Sequence, residues 1–324
     1  MLTTVVGNYP KVPNRPRPAK LRNAINRFDR GEIDAEALRA VEEEVTREVI
    51  DEQVAAGLDL ITDGQVRWED EQTYVARRLR GVSISGLVRF FDTNTYFREP
   101  VVEGPLAWTE AVTVADYRLA AEYSPRPVKA VLPGPYTLAR QSRDEHYRSL
   151  EGCVMAYAEA LSQEARALQE AGATFIQLNE PAILNHKADF PLFQRAIERT
   201  LGEASVKRAL YLYFGDVDGL YPGLLDLPID VLGLDFVTGA RNFEVLKKAP
   251  FSKTLGLGLV DARNTKMESV EQIVEGLRQA QEIVPLERVH LSPSCGLEFL
   301  PREVAQAKLA RMVEGARRAQ EVLV

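Results

Sequence analysis

Apolar residues along this chain follow two spacings. Across residues 33–56, Leu38, Val41, Val45 and Val49 recur three or four positions apart among acidic residues. That is the period of a helix with one buried face. The segment ends in Ala56-Gly57, and the run 58–62 follows before Asp63-Gly64-Gln65. The same grammar returns further on: a helical stretch over 147–171 closes on Ala171-Gly172, and the run FIQL leads into Asn179, Glu180 and Pro181. Glycine suits the residue after a helix, and proline cannot extend a strand ladder. A short apolar run between such signals predicts a buried parallel strand. Comparable runs lie at 3–7, 127–132, 208–214, 231–237, 254–260 and 289–292. Helical patterns occupy 67–80, 116–123, 188–201, 268–283 and 302–322.

Eight buried strands, mostly followed by helices, predict a (β/α)8 TIM barrel spanning 1–324 as one domain. A doubly wound sheet is the rival, disfavoured because no glycine-rich phosphate turn follows the first strand. Residues 82–104 break the rhythm: Val88, Phe90, Phe91, Tyr96 and Phe97 give the alternation of an inserted β-hairpin. The Pro- and Arg-rich stretch 10–20 reads as a loop, and Pro133-Gly134-Pro135 as a rigid turn.

Composition narrows the function. A net charge of −7 and the absence of a basic stripe argue against nucleic acid. No apolar run approaches the ~20 residues that cross a bilayer. Two cysteines make no disulfide framework, which suggests a cytoplasmic setting. Three histidines argue against a His-dominated metal site. The expected partner is therefore a small-molecule substrate, with a homo-oligomer or a paralogous barrel subunit as the protein partner.

Barrel enzymes place their chemistry at the carboxyl ends of the strands. Glu180 stands there, and reads either as a residue touching substrate or as a helix cap or arginine partner; the strand end favours the first. Tyr211 and Tyr213 share one face of their strand and are taken as pocket-lining phenols. Asp235 is an acid hard to bury without a partner. Cys295 reads equally as an inert buried thiol or as a thiolate serving as ligand or nucleophile. Asp261 and Arg263 pair with each other, or Arg263 grips a substrate anion through its planar fork. Cys153 and the histidines read as structural.

Several stretches taken together resemble one family. TTVVGNYP at the start, TDGQ at 62–65, FREPVVEG at 97–104, LPGPYTLAR at 132–140, IQLNEP at 176–181, GLVDARNTKMES at 258–269 and SPSCGL at 292–297 come in the order of the cobalamin-independent methionine synthases. The resemblance covers essentially the whole chain and corresponds to one barrel of that family. It implies a zinc ion, bound by a His-x-Cys pair, a Glu and a distant Cys, that activates a substrate thiolate. It also implies a folate or methylcorrinoid methyl donor. At the matching positions stand Tyr211, Tyr213, Asp235 and Cys295, so Cys295 and Asp235 are the surviving metal-ligand candidates. Neutral phenols are poor zinc ligands. Gln65 and Asn179 occupy places where the family carries substrate-binding carboxylates, and Arg263 replaces a histidine after Asp261.

The expectation is a methionine-synthase-like transferase of methyl or related one-carbon or alkyl groups to a small thiol-type substrate, with an altered zinc site. Glu180, Asp235, Cys295, Tyr211 and Tyr213 are its candidate catalytic residues. Gly7, Asn8, Gln65, Asn179, Asp261 and Arg263 are its candidate substrate-binding residues. The alternatives are a non-catalytic accessory barrel partnering a zinc-bearing paralogue, and a lyase or isomerase on the same scaffold.

Overall fold

A computed structural model describes residues 1–16 and 18–323. In chain order, β1 (Leu2–Thr3) precedes α1 (Lys20–Asp29), α2 (Ala35–Ala55) and the short α3 (Glu71–Ala76). An antiparallel pair, β2 (Arg80–Arg89) and β3 (Tyr96–Ala107), is followed by α4 (Val114–Tyr123), β4 (Ala130–Pro133), α5 (Pro135–Arg140) and β5 (Arg143–Asp144). Then come α6 (Leu150–Glu170), β6 (Phe175–Asn179), α7 (Phe190–Leu201), β7 (Lys207–Leu212), β8 (Val231–Asp235) and α8 (Asn242–Leu246). The chain finishes with β9 (Thr254–Val260), α9 (Val270–Gln281), β10 (Val289–Pro293) and α10 (Arg302–Leu323).

Among the described residues, seven parallel strands form a curled sheet in the order β1-β10-β9-β8-β7-β6-β4. The ring closes between β1 and β4 through residues 60 and 61, which make single parallel bridges to Thr4 and Val128. Leu60 N donates to Thr3 O at 3.1 Å, and Ile61 N to Pro127 O at 3.0 Å. The eighth strand expected over 58–62 is thus a pair of bridges, because side chains hold much of its backbone. Gln53 of α2 takes both backbone polar groups of Thr62, accepting from its N–H at 3.1 Å and donating to its carbonyl at 2.9 Å. Asp59 accepts from the backbone and the hydroxyl of Thr3, both at 2.8 Å.

The Ala-Gly helix ends behave as their sequence predicts. Gly57 and Gly172 adopt φ of 88° and 96°. Leu58 N and Ala173 N reach back to Gln53 O and Leu168 O, closing the turns that satisfy the last helical carbonyls. Elsewhere the structure corrects the expectation. The helix expected over 67–80 is only α3, because Asp70 caps it at Thr73 N and β2 begins at Arg80. Part of the loop expected up to residue 20, and the chain beyond it, form α1, which buries Leu21 and Ala24. The Pro133-Gly134-Pro135 turn starts a helix: Gly134 is the cap of α5 and Pro135 sits in its first turn, where the missing N–H costs nothing.

The hairpin is as expected, with Val88 opposite Phe97 and Arg89 opposite Tyr96. Its return to the barrel is anchored by Glu164 of α6, which is 1% exposed. That carboxylate accepts from Trp108 Nε1, Val112 N, Thr113 N and the Thr113 hydroxyl, at 2.7 to 2.8 Å. No helix of the described residues is long and apolar enough to cross a membrane.

Glu164→Ala would leave four buried donors without an acceptor. We expect a loss of about 4 kcal/mol, read by calorimetry as a fall in Tm of ~6 °C for a chain of this size. An unchanged Tm would show that the anchor is replaceable by water.

Candidate functional site

A line of hydrogen bonds climbs the barrel interior to the carboxyl end of the sheet. Lys129 of β4, 1% exposed, donates to Val5 O at 2.5 Å and to Gln177 Oε1 at 2.6 Å. Gln177 of β6 donates in turn to Val6 O and to Asn179 Oδ1, at 2.5 and 2.8 Å. Asn179 passes the direction on, donating to Glu71 Oε1 at 2.8 Å. Every amide is thereby oriented by its neighbour: because Val6 O can only accept, Gln177 turns its nitrogen to it and its oxygen to Lys129, and Asn179 follows with its oxygen toward Gln177 and its nitrogen toward Glu71. Burial pushes the Lys129 ammonium well below its ordinary range, and among the described residues no carboxylate pairs with it.

Glu71, at the start of α3, sits where this line reaches the mouth. Burial raises its carboxyl to about 8, with the neighbouring Glu298 adding to the rise and the Asn179 and Gln65 amides opposing it. Glu298, in the loop after β10, is raised to about 7 by desolvation, opposed by Lys11. The Tyr213 phenol lies among Glu71, Glu298, Cys295 and Glu180, and burial raises it well above 10. Gln65 is fully buried at φ 53°, a strained position for a side chain other than glycine. Its amide lies near enough to Glu71 to oppose the rise there, yet among the described residues neither amide atom has a partner in hydrogen-bond geometry, and Glu298 Oε2 and Gln72 Nε2 also lack one. Buried polar atoms left open together at the mouth of a barrel mark a place prepared for a ligand.

The hairpin roofs this place. Phe90 and Phe91 pack on Phe214, with ring centroids 6.2 and 5.7 Å away. Phe214, at φ 75°, also meets Tyr213 at 4.8 Å and Phe299 at 6.3 Å. Beneath the hairpin runs a cleft of about 290 Å³, between Lys11, Glu71, Gln72 and Glu298 on the barrel side and Phe90 and Phe97 on the roof. Its size suits a small metabolite rather than a large cofactor.

The residues singled out in the sequence fall into three places. Gly7, Asn8, Gln65 and Asn179 do come together at the mouth. A Cβ on Gly7 would lie 3.3 Å from Val131 and 3.6 Å from both Gln65 amide atoms, so the glycine makes room for that amide. Glu180, Asp235 and Cys295 form the walls. Glu180 accepts from Tyr136 N, Thr137 N and the Thr137 hydroxyl at 2.6 to 2.9 Å, which caps α5, the helix before it rather than the one after. Asp235 accepts from Phe214 N, Val237 N and Thr238 N at 2.8 to 3.1 Å. The Cys295 thiol is wholly buried and raised well above its ordinary range.

Tyr211 lies deeper, across Gly233 and Gly256, whose missing Cβ atoms would come within 2.4 and 2.9 Å of its ring and hydroxyl. The third group serves the roof. Asp261 accepts from Arg263 N at 2.9 Å, while the Arg263 guanidinium lies 5.1 Å from the Phe214 ring and donates to Asp92 O on the hairpin at 2.8 Å. Glu71, Glu298, Lys11 and Lys129 were not singled out from the sequence. Glu71 stands in the acidic run Glu69-Asp70-Glu71, the composition of any helix start, and Glu298 lies one residue beyond the SPSCGL motif.

Fold and site define a parallel α/β barrel with a polar, hairpin-covered mouth at the carboxyl ends of its strands. Residues 1–318 match the family described as cobalamin-independent synthase, catalytic domain. A methionine synthase of Saccharolobus solfataricus is 33% identical over 323 residues, covering 99% of this chain and 95% of its own. One from Sulfurisphaera tokodaii is 31% identical, covering 99% and 93%. The B12-independent methionine synthase of Shewanella sp. W3-18-1, solved with selenomethionine, superposes with a TM-score of 0.88 at 23% identity, covering 100% of this chain and 99% of that one. The chain belongs to the cobalamin-independent methionine synthase family.

The family's zinc ion does not fit the residues present. Both positions corresponding to the His-x-Cys pair are buried phenols whose burial keeps them protonated. Both Asp235 oxygens are held by backbone N–H groups. The Cys295 thiol contacts Gly296 O at 3.5 Å, and burial opposes its ionisation. Among the described residues, no three His, Cys, Asp or Glu side chains converge to hold a metal.

Glu71 and Glu180 are buried acids whose folded pKa values, about 8 and about 7, exceed the ordinary glutamate value of 4.5. Folding therefore takes up protons between pH ~5 and ~7. These groups stabilise the fold fully below pH ~4.5 and lose that contribution as pH rises through their folded pKa values. Each contributes a slope of about −1.4 kcal/mol per pH unit. Chemical denaturation of the ligand-free protein at pH 5, 6 and 7 should show that Glu71→Gln removes one such slope relative to the parent. Parallel pH profiles would place Glu71 in an ordinary solvated environment.

Proposed function

We propose that the protein transfers a methyl or related one-carbon group to a small thiol-type substrate bound in the cleft beneath the hairpin. The observation that carries this reading is the fully buried, unpartnered Gln65 amide beside Glu71 and Glu298 under an aromatic roof. A ligand seated there would satisfy those atoms and lie in a space from which Phe90, Phe97 and Phe214 exclude water. The methionine synthases to which the chain is similar supply the reaction class.

The chain's own groups can bind, orient and handle a proton. Glu298 and Glu71, with carboxyls near neutrality, are matched to taking a thiol proton at working pH. Transfer then forms the S–CH3 bond as the donor–CH3 bond breaks, and the departing donor recovers a proton. The absence of a fitting zinc constellation favours one further reading, in which this barrel works beside a zinc-bearing paralogue and supplies a binding surface rather than the reacting thiolate.

Purified protein would be incubated with L-homocysteine and either methyltetrahydrofolate or methylcobalamin, and methionine measured by mass spectrometry. We expect methionine formation that survives chelator treatment. Formation only after adding a zinc-bearing paralogue would favour the accessory reading. No methylation of homocysteine or of other small thiols under either condition would overturn the transferase.

A further inference from the structure

The line that ends at Glu71 has a polarity, and a residue that makes no hydrogen bond with Glu71 sets it. Asn179 donates to Glu71 Oε1 at 2.8 Å. The same side chain reversed would present its oxygen there, and the two orientations have opposite consequences. A donor at Oε1 stabilises the carboxylate and directs any proton that Glu71 holds to Oε2. An acceptor at Oε1 stabilises the neutral acid, whose O–H would donate to it. Gln177 closes the second option. Its Nε2 donates to Asn179 Oδ1 at 2.8 Å and to Val6 O at 2.5 Å, and its Oε1 accepts from Lys129 at 2.6 Å. All three side chains are buried, so a reversed Asn179 would meet the Gln177 amide nitrogen to nitrogen with no water to relieve it.

We propose that Gln177 is a positioning residue for the transfer: by holding Asn179 with its nitrogen toward the mouth, it keeps Glu71 ready to receive a proton, and to receive it on Oε2. The inference rests on the proposed part of Glu71 in taking the thiol proton. It adds a side chain of the barrel interior that is not among those lining the cleft. Other groups act on the Glu71 carboxyl as well. Glu298 from the loop after β10, Asp70 from the cap of α3 and the Tyr213 phenol beyond β7 face it, the Gln65 amide opposes its protonation, and Lys11 acts on Glu298. Among the described residues Gln177 hydrogen-bonds with none of these. Changing it therefore alters one contact of Glu71, the Asn179 amide, and leaves the rest in place.

The Glu71 carboxyl would be titrated by carbon NMR in the ligand-free full chain, its resonance identified by its loss in Glu71→Gln. Gln177→Met keeps the bulk and removes the donor, leaving Asn179 free to turn. Gln177→Glu sets an acceptor against Asn179 Oδ1 and forces the turn. Both should raise the Glu71 midpoint by about one pH unit or more, the scale of exchanging one hydrogen bond to a charged group. The sign separates positioning from packing: a substitution that only loosened the barrel would admit water and lower the midpoint toward the ordinary glutamate range. In methyl transfer to L-homocysteine, the acid limb of kcat/KM should move to higher pH by the same interval. Should neither variant fold, the parent chain decides, because the Asn179 side-chain amide protons must shift with the Glu71 midpoint if they donate to the titrating carboxyl.

A midpoint unchanged or lowered in both variants, or Asn179 amide protons indifferent to the Glu71 titration, would overturn the proposal. A raised midpoint with an unmoved acid limb would remove Glu71 from the proton step and overturn the positioning role with it. Absence of methylation would remove the transferase reading, whereas the titration would still establish or refute the hold of Gln177 on Glu71.

Discussion

The hydrogen-bonded line from Lys129 through Gln177 and Asn179 to Glu71 is the constraint on which the mouth of this barrel depends. A backbone carbonyl can only accept, so Val6 O settles the orientation of the Gln177 amide and, through it, that of Asn179 above. Reversing any one of them would set two donors or two acceptors face to face in a dry interior, at a cost of several kcal/mol. The same residues tie the β1 end of the sheet to β4 and β6 through Val5 O and Val6 O. Barrel closure and the presentation of Glu71 are therefore one structural fact.

How legible this was in the sequence varied with how local its cause was. The helix ends at Ala56-Gly57 and Ala171-Gly172 could be read because a glycine at positive φ follows from backbone sterics alone. The hairpin could be read from its aromatic alternation. The strand over 58–62 shrank to two bridges because Gln53 and Asp59 hold its neighbouring backbone groups, and side-chain substitutes for a ladder leave no periodic trace. Helix α1 followed a proline-rich loop whose punctuation masked it. Helix α5 was hidden by Pro133-Gly134-Pro135, since the same residues that make a turn also start a helix.

The candidate site was legible as a place in the fold where motif and strand end coincided, at Gly7, Asn8, Gln65 and Asn179. It was opaque at Glu71 and Glu298, because nothing local distinguishes an acid at a helix start from one aimed into a cleft; only the meeting of α3 with the loop after β10 does so. The resemblance drew the eye to the positions of the zinc ligands. There the structure shows Tyr211 lodged over two glycines and Asp235 organising its own loop. Arg263, read as an anion clamp or an ion-pair partner, donates to the hairpin at Asp92 O. Strain marks the same region: Gln65, Phe91 and Phe214 are three of the four non-glycine residues at positive φ among the described residues, each costing about 1–3 kcal/mol. Phe91 and Phe214 pack against each other in the aromatic cluster, which over-determines their backbone, and Gln65 lies against Gly7.

The magnitudes decide what such a mouth does at rest. With its carboxyl near 8, Glu71 is mostly protonated at pH 7, and ionising it there costs about 1.4 kcal/mol. Glu298, with its carboxyl near 7, divides between its two forms at that pH, so protonation of Glu71 limits the repulsion between the pair. Keeping one of two neighbouring acids neutral lets a buried acidic mouth coexist with a stable fold.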